Sequence, residues 1–338
     1  MNGCAIAVAG TGYIGVEHIK AIEANPSAEL HTICTTPRSE AVAQALKDTY
    51  AAEKVTTRFG DVVEDPDVDI LYLCTPNSQH VAQAVAALGA GKHVFVEKPL
   101  AVTVDECQQV VDAARRSGTQ VMVGHGARFV NLFTAVKKMV DDGTLGKACF
   151  VEGDYVHDLG PFLDLPGHDW WMDAEKEGQL PIIGGACHPL DLMRWIAGEI
   201  VEVSAFGANR NIAQAPWYDT IIANLRFESG AVGKCLVSCG AKIPYAMNFS
   251  YYGTKGSVVN DRLFVDGIPH VEDFMQLPIP IRAEDHTCPQ ELEHFLRCID
   301  TGETPLIDAV DGARSVAVCC AVADSIESRR PEPVFLGF

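Results

Sequence analysis

The first 123 residues alternate short runs of β-branched and other apolar residues with longer stretches of helical periodicity. This alternation is typical of parallel strands joined by crossover helices, because a parallel pair needs a long connection to bring the chain back to the same edge. The predicted strands are Cys4 to Ala9, Leu30 to Thr35, Val55 to Phe59, Asp69 to Cys74, His93 to Glu97 and Gln120 to Val123. The predicted helices are Tyr13 to Ala24, Ser39 to Tyr50, Gln79 to Leu88 and Val104 to Arg116. The pattern predicts an α/β fold with a doubly wound parallel sheet.

After Gly124 the strands become longer and follow one another without intervening helices. They are predicted at Cys149 to Tyr155, Val201 to Asn209, Thr220 to Phe227, Ala231 to Cys239 and Met247 to Tyr252. Helices are predicted at Cys187 to Ala197, Gln290 to Asp300 and Asp308 to Glu327. This order favours an α+β domain with a mostly antiparallel, open sheet. We expect one domain over residues 1–123, a second over 124–338, and a ligand cleft between them.

The charge balance excludes two classes of partner. The 338 residues include 26 Lys and Arg against 45 Asp and Glu, a formal net charge of −19. This charge repels nucleic-acid phosphates and anionic lipids, so neither nucleic acid nor membrane is expected. We expect neither a secretory leader, since the first residues carry no basic region, nor a membrane-spanning helix, since no apolar run is long enough. The 12 Cys are scattered without a CxxC pair, which favours buried thiols in a cytoplasmic protein and no metal site.

A glycine-rich segment, Gly10-Thr11-Gly12-Tyr13-Ile14-Gly15, lies between the first predicted strand and the first predicted helix. In that context Gly10 permits a tight turn, Gly12 lets the backbone approach a diphosphate, and Gly15 allows close helix packing. The helix N-terminus also favours negative charge. Glycine turns are common structural features, but this strand–turn–helix context predicts dinucleotide binding.

The end of the second predicted strand bears on which dinucleotide binds. An Asp or Glu there would bond the ribose 2′-hydroxyl of NAD, but the chain reads Ile33-Cys34-Thr35-Thr36-Pro37-Arg38. Arg38, with the hydroxyls of Thr35, Thr36 and Ser39, could instead receive the 2′-phosphate of NADP. Arg38 could equally be a solvated surface residue. The sequence leans to NADP and leaves NAD open.

A lysine lies at the carboxyl end of the fifth predicted strand, in Val96-Glu97-Lys98-Pro99. Ligands bind at this edge in open α/β sheets. Lys98, bordered by apolar residues and next to Glu97, could donate or accept a proton at a substrate oxygen. The alternative is an ordinary surface lysine at a strand end.

A histidine precedes a proline in Cys187-His188-Pro189. Pro189 fits the first position of a helix, which would put His188 near the helix N-terminus, where the dipole favours neutral imidazole. His188 could then orient a substrate hydroxyl or exchange a proton with it. The alternative is a histidine that caps the helix.

These motifs, taken together and in this order, resemble the Gfo/Idh/MocA oxidoreductases, the family of glucose–fructose oxidoreductase and inositol dehydrogenase. The resemblance covers nearly the whole chain. It rests on the glycine turn, Thr75-Pro76-Asn77-x-x-His80, Glu97-Lys98-Pro99, Val123-Gly124-His125, Arg128-Phe129, and Gly178 through His188 to Asp191. It implies a nicotinamide-binding Rossmann domain, then a substrate domain whose open sheet mediates a homo-oligomer, a dimer or tetramer. It implies hydride transfer at a CH–OH or C=O group of a sugar, polyol or glycoside.

The resemblance also implies roles for residues. Lys98 would assist proton transfer, and His188 would lie beside the reacting oxygen. With the residues argued above, the cofactor-binding set is Gly10, Gly12, Tyr13, Ile14, Gly15, Thr35, Thr36, Arg38, Cys74, Thr75, Pro76, Asn77, His80, Glu97, Lys98, Arg128 and Trp170. The expected substrate contacts are Lys98, Tyr155, Asp169, His188 and Asp191.

One departure from the family pattern affects the mechanism. Many members carry an Asp four residues before the histidine, where this chain has Gly184. The position of Asp191, one helical turn after His188, commonly holds the helix in the family. Polar contacts could instead come from Asp154, Tyr155, His157 and Asp169. Three functions stay open: a dehydrogenase with exchangeable cofactor, a sugar oxidoreductase that recycles a tightly bound cofactor, and a nicotinamide-dependent sensor that has lost its chemistry.

Overall fold

The structure is a computed structural model that describes residues 3–163, 165, 168–267, 273–277 and 286–338. The described residues form two compact units. The first takes in the chain up to Gly126, together with His286–Ala313 and Phe338; the second takes in the chain between Ala127 and Asp285, together with Arg314–Gly337.

The first unit is built on a six-stranded parallel sheet, which confirms the predicted doubly wound fold. Its strands are β1 (Cys4–Ala9), β2 (Ala28–Cys34), β3 (Lys54–Thr56), β4 (Ile70–Leu73), β5 (His93–Glu97) and β6 (Val121–Gly124). Its helices are α1 (Tyr13–Glu23), α2 (Glu40–Tyr50), α3 (Phe59–Glu64), α4 (Asn77–Gly89), α5 (Val104–Ser117) and α10 (Cys288–Thr301). The strand order is β3-β2-β1-β4-β5-β6. The chain order therefore reverses at β1, and the turns after β1 and β4 meet at the edge where such sheets bind ligands.

The central strand β1 shows why this sequence forms a parallel sheet. Ile6, Ala7 and Val8 are completely buried, since the strand lies between β2 and β4 and has helices on both faces. Ile6 is in register with Leu30 on one side and Ile70 on the other. A strand that is buried on both faces has a continuous apolar sequence, which is why β1 could be predicted.

The third predicted strand was too long. The structure ends β3 at Thr56, and Phe59, predicted to be the last residue of the strand, begins α3. The Thr56 hydroxyl donates to Asp61 Oδ2 at 2.7 Å and accepts from the backbone N–H of Arg58 at 3.1 Å. These local bonds turn the chain, and an apolar pattern does not reveal them.

The second unit is built on a nine-stranded sheet in the order β14-β13-β12-β11-β7-β10-β9-β8-β15. Its strands are β7 (Ala148–Val156), β8 (Ile200–Ala208), β9 (Thr220–Phe227), β10 (Val232–Ser238), β11 (Ala246–Gly253), β12 (Gly256–Val259), β13 (Arg262–Val265), β14 (Met275–Gln276) and β15 (Glu332–Pro333). The helices along this part of the chain are α6 (Asn131–Asp141), α7 (Gly160–Leu163), α8 (Ala174–Glu177), α9 (Cys187–Ala197) and α11 (Ala309–Ser328). The neighbours β7 and β10 run parallel, whereas the other described pairs are antiparallel, so the mostly antiparallel sheet is confirmed.

Strand β9 shows the alternation that such a sheet requires. Ile221, Ala223 and Leu225 are buried, while Ile222 between them is exposed. One face of the sheet is thus covered and the other is open, as a period of two predicts. The strands β12, β13 and β14 and the helix α6 were not predicted.

Candidate active site

The glycine turn lies at the carboxyl end of β1, as predicted. Its backbone is held by neighbouring strands, since the N–H of Gly10 donates to the Cys34 carbonyl at 2.9 Å and the N–H of Cys74 donates to the Ala9 carbonyl at 2.8 Å. The helix α1 begins immediately after Gly12. The unpaired N–H groups of its first turn face the same edge as the ends of β2 and β4, a setting that suits a diphosphate.

Glycine stands at each of the three positions of this turn for a different structural reason. Gly10 has φ +111°, and a Cβ there would lie 2.2 Å from the Cys74 carbonyl oxygen. A Cβ on Gly15 would lie 2.2 Å from the Gly10 carbonyl oxygen, so both positions need glycine for packing. A Cβ on Gly12 would meet no atom within 4 Å. The fold does not require glycine at Gly12, whereas a diphosphate that approaches the backbone does, so this cradle fits a dinucleotide.

The predicted contacts at the end of β2 lie on the surface beside the glycine turn. The hydroxyls of Thr35 and Thr11 are 3.0 Å apart and join the two turns. Thr36 and Arg38 are exposed, with Arg38 in the single 3-10 turn Pro37–Ser39. Arg38 is therefore accessible to a ligand phosphate, as the NADP interpretation requires.

The turns after β4 and β5 bring together the Thr75-Pro76-Asn77 and Glu97-Lys98-Pro99 motifs. The ring of His80, on the first turn of α4, lies between them, with Nδ1 2.7 Å from the Pro99 carbonyl oxygen and Nε2 2.9 Å from that of Thr75. Lys98 is half-buried, and its backbone N–H donates to Glu97 Oε2 at 3.2 Å. The strand order places this lysine on the sheet edge two strands from the glycine turn.

Two predicted cofactor residues at this edge have buried side chains. Cys74 packs beneath the glycine turn, and burial raises the pKa of its thiol well above the ordinary value. Glu97 is bonded to His18 of α1, with 2.7 Å between Oε1 and Nε2. Burial alone would raise the pKa of the Glu97 carboxyl, but the bond to His18 and the charges of His18, Lys98 and His80 outweigh it and lower that pKa. Glu97 is therefore an anion in the folded protein.

The structure corrects the predicted surroundings of His188. A π-helical turn, Pro181–Ala186, runs directly into α9, so the helix does not begin at Pro189. His188 is consequently inside a continuous helical segment, and the predicted effect of a helix N-terminus on its ring is wrong. Gly184 and Gly185 lie in the π-helical turn, a form of helix that occurs often at functional sites. The π-helical turn could not be predicted, because it widens the backbone without changing the apolar pattern of the sequence.

His188 instead belongs to a cluster of aromatic rings, which we call the aromatic cluster: Tyr155, His157, Phe162, His188 and Tyr245. The rings of Tyr155 and His188 are stacked, with centroids 5.8 Å apart and planes at 9°. Tyr245 contacts the edges of Tyr155 and His157 at 5.2 and 5.4 Å. A Cβ on Gly185 would lie 3.0 Å from the Tyr155 ring, so this glycine makes room for the stack.

The aromatic cluster carries polar atoms that the protein itself leaves available. Within the described part of the chain, the hydroxyls of Tyr155 and Tyr245 and the ring nitrogens of His157 make no hydrogen bond, and all three residues are partly exposed. Burial raises the pKa of Tyr155 well above its ordinary value and that of Tyr245 to about 12, so both hydroxyls stay protonated. Burial also lowers the pKa of His157. Tyr245 was not predicted; its only sequence signal is an aromatic residue just before β11.

Asp191, a predicted substrate contact, is completely buried and bonded to other side chains. Its Oδ2 accepts from Arg128 Nε at 2.8 Å, and its Oδ1 accepts from Arg128 Nη2 and Ser315 Oγ, each at 2.7 Å. Arg128, a predicted cofactor residue, is also buried and lies over the Trp195 ring at 5.7 Å. The structure thus brings these two predicted residues together as an ion pair, and their direct contacts with ligands stay predictions.

Asp169 and Trp170 lie in the 3-10 turn Asp169–Met172. Trp170 is half-buried and meets the edge of Trp171 at 5.9 Å, while Asp169 lines an open cavity of about 590 Å³. Trp217 is buried, and its indole N–H donates to the Trp171 carbonyl oxygen at 2.9 Å. Trp217 is therefore part of the core.

Two family models match the chain in sequence order. Residues 4–125 match the oxidoreductase family with an NAD-binding Rossmann fold, and residues 133–259 match the GFO/IDH/MocA C-terminal domain. This chain belongs to the Gfo/Idh/MocA family. It is an oxidoreductase that uses a nicotinamide cofactor, and the resemblance drawn from its motifs is confirmed.

Curated members of the family match the chain over nearly its full length. It is 26% identical to the myo-inositol 2-dehydrogenase of Thermotoga maritima, over 96% of this chain and 97% of that protein. It is also 26% identical to the scyllo-inositol 2-dehydrogenase (NAD(+)) of Bacillus subtilis, over 96% of this chain and 94% of that protein.

Among solved structures, levoglucosan dehydrogenase in complex with NADH superposes with a TM-score of 0.90. The identity is 24%, over 98% of this chain and 99% of that chain, so this match supports the fold. Among the described residues, no helix has both the length and the apolar character needed to cross a bilayer.

Proposed function

We propose that this oxidoreductase oxidises a CH–OH group of a sugar, polyol or glycoside, or reduces the corresponding carbonyl, with a nicotinamide cofactor. The observation that carries the proposal is the half-buried Lys98 at the carboxyl end of β5, on the same sheet edge as a glycine turn that fits a diphosphate. The bound cofactor would accept or supply the hydride. The names of the two inositol dehydrogenases support a polyol substrate.

In this proposal each domain expected from the sequence contributes a different function. The first domain, residues 1–123, holds the cofactor and supplies Lys98, which takes the hydroxyl proton during oxidation and returns it during reduction. The second, residues 124–338, supplies His188, which orients the reacting oxygen.

The aromatic cluster supports a polyhydroxylated substrate. Aromatic faces pack against the C–H faces of sugar and polyol rings, while hydroxyl and imidazole groups at the ring tips can bond to substrate hydroxyls. Tyr155 and Tyr245 offer both kinds of contact beside His188. Asp169, at the 590 Å³ cavity, is a further proposed contact.

The proton role of Lys98 is tested by Lys98→Met. We expect turnover to fall by about 10²- to 10⁴-fold, the usual contribution of general acid–base catalysis, while calorimetry still shows cofactor binding. Lys20→Met is the matched control, because Lys20 is exposed and paired with Glu17 on the surface, in the last turn of α1. Undiminished turnover of Lys98→Met would remove the proposed proton relay.

Cofactor choice is tested in the same assay with NAD and NADP supplied separately. We propose a preference for NADP, because the end of β2 has no acidic residue and Arg38 is exposed. Arg38→Ala should then raise the KM for NADP by about tenfold or more and leave that for NAD nearly unchanged, since one charge-assisted bond to the 2′-phosphate is lost. Equal effects on both cofactors would argue against the preference.

Gly184 motivates one rival function, a nicotinamide-dependent sensor without catalysis, because the usual carboxylate is absent at that position. A spectrophotometric screen of sugars, inositols and glycosides decides between the two functions. Cofactor reduction by any of these compounds excludes the sensor. Retention of nucleotide through purification, without exchange, would favour the enzyme that recycles its cofactor.

We further propose a homo-oligomer formed through the open face of the second sheet. Phe206, Ile222 and Leu236 are in register across β8, β9 and β10, and Phe206 is 70% exposed. A row of apolar side chains on a sheet face is a typical interaction surface. Phe206→Glu should shift the mass measured by light scattering from dimer or tetramer towards monomer.

The buried cysteines within β2 and β10, Cys34 and Cys235, support a reducing, cytoplasmic location.

A further inference from the structure

The His80 ring faces two hydrogen-bond acceptors. Its Nδ1 is 2.7 Å from the Pro99 carbonyl oxygen and its Nε2 is 2.9 Å from the Thr75 carbonyl oxygen. The residue is 1% exposed. A carbonyl oxygen can accept a hydrogen bond but cannot donate one, so each ring nitrogen needs a proton to make a bond.

A neutral imidazole cannot satisfy this arrangement. It carries one N–H, and its other nitrogen would direct a lone pair at a carbonyl oxygen less than 3 Å away. In a buried position this contact would be repulsive and would leave an acceptor unpaired. The imidazolium form donates at both nitrogens and satisfies both carbonyls.

We propose that His80 is an imidazolium cation that braces the turn after β4 to the turn after β5 and thereby positions Lys98. The positioning part of this inference rests on the proposed function of Lys98. His80 does not itself need to touch substrate, so we regard it as a positioning residue rather than a catalytic one.

The electrostatic surroundings favour the cation. The buried acid Glu97 is anionic in the folded protein and lies close enough for the charge of His80 to lower its pKa. Around this carboxylate lie His18, bonded to Oε1, and Lys98, whose backbone N–H donates to Oε2. Glu291 is also buried near it, and burial together with the Glu97 charge raises the pKa of Glu291 well above its ordinary value, so Glu291 adds no second negative charge. A buried imidazolium beside a buried carboxylate avoids the cost of an uncompensated charge.

The position of His80 between the two turns explains how its hydrogen bonds could affect catalysis. Its two partners follow adjacent parallel strands, and Pro99 comes directly after Lys98. Thr75 belongs to the turn predicted to line the cofactor. A rigid connection between these turns fixes the lysine relative to the cofactor-binding edge, and errors of about 1 Å in such geometry can cost about 100-fold in rate.

A second histidine of the first unit, His93 at the start of β5, provides an internal reference. His93 Nδ1 accepts a hydrogen bond from the backbone N–H of Gln120 at 3.0 Å, so this nitrogen must lack a proton. Burial also lowers the pKa of His93. The inference therefore gives two different protonation states within the first unit, the cation at His80 and neutral imidazole at His93.

The protonation state is tested by nitrogen-15 NMR of the full chain labelled at histidine, with nicotinamide cofactor bound, at neutral pH. We expect both His80 nitrogens to resonate where protonated ring nitrogens do, and His93 to give one protonated and one unprotonated signal. His80→Gln and His93→Gln assign the signals. An unprotonated nitrogen at His80 in the wild-type protein would overturn the inference, whether or not a substrate has been identified.

The positioning role is tested by the kinetics of His80→Gln once a substrate is known. Glutamine is neutral and cannot donate to both carbonyls, so we expect kcat to fall by about 10- to 100-fold, with smaller changes in the KM values. His93→Gln should leave kcat unchanged. An unchanged kcat in His80→Gln, alongside a confirmed imidazolium, would overturn the positioning role and leave the protonation state intact. Failure of the Lys98→Met test would instead count against the proposed function.

Discussion

The substitution Asp191→Asn separates two roles for this residue. Its carboxylate accepts three hydrogen bonds, two from Arg128 and one from Ser315, all between 2.7 and 2.8 Å. An amide keeps the size of the side chain but replaces one acceptor oxygen with a donor, which then opposes a donor of Arg128. The guanidinium is left in the interior without its carboxylate.

The size of the effect follows from burial. Asp191 is 0% exposed and Arg128 is 3% exposed, so water cannot replace the lost partner. Removing one member of such a buried pair costs about 3–5 kcal/mol. For a unit as long as the second one, a loss of about 3–5 kcal/mol in the free energy of unfolding lowers the melting temperature by about 10 °C.

Thermal and urea unfolding of wild type and Asp191→Asn measure this effect. Glu202→Gln is the matched control, because Glu202 pairs with Arg226 at 3.0 Å and both side chains are exposed, by 43% and 65%. Solvent can compensate there, and we expect a cost of about 1 kcal/mol. If Asp191→Asn melts like the wild type but has a KM for substrate raised tenfold or more, the ion-pair reasoning is refuted and Asp191 contacts substrate.

Three further predictions address the first unit. Gly12→Ala should fold normally and weaken cofactor binding by about tenfold or more, as measured by calorimetry. Gly15→Ala should instead lower the free energy of unfolding by about 1–3 kcal/mol in urea titrations, because its Cβ would meet the Gly10 carbonyl. Normal cofactor affinity in Gly12→Ala would argue against the proposed diphosphate site. Thr103→Ala removes the side chain that accepts from the N–H of Glu106 at the start of α5, and should lower the free energy of unfolding by about 1 kcal/mol in urea titrations. The bond from Lys54 lowers the pKa of Asp65 to about 2, so its stabilisation is present above the unfolded value of about 4 and is lost as pH falls towards 2. Asp65→Asn should therefore flatten the loss of stability between about pH 4 and pH 2, and an unchanged acid limb would contradict this.

Patterns that depend on neighbouring residues could be predicted from the sequence. The strand β1, the glycine turn and the lysine after β5 were found because apolar runs, glycines and strand ends are local features of the chain. The distinct reasons for the three glycines became visible once Cys74 and the Gly10 carbonyl were placed beside them. The end of the third strand was predicted wrongly at Phe59 for a similar reason. Where β3 ends depends on hydrogen bonds between Thr56, Arg58 and Asp61 rather than on hydrophobicity.

Contacts between distant residues were decided by the tertiary structure. The sequence presented Asp191 and Arg128 as ligand contacts, but 63 positions separate them and only folding shows that they form a pair. Tyr245 joins Tyr155 and His188 because β11 and β7 are neighbours in the sheet. His80 was identified by its motif, yet its protonation state follows from two carbonyl oxygens that the chain brings to opposite sides of one ring. Local sequence determined which chemical groups this protein carries, and packing determined which of them meet, because charge and hydrogen bonding depend on distance in space rather than along the chain.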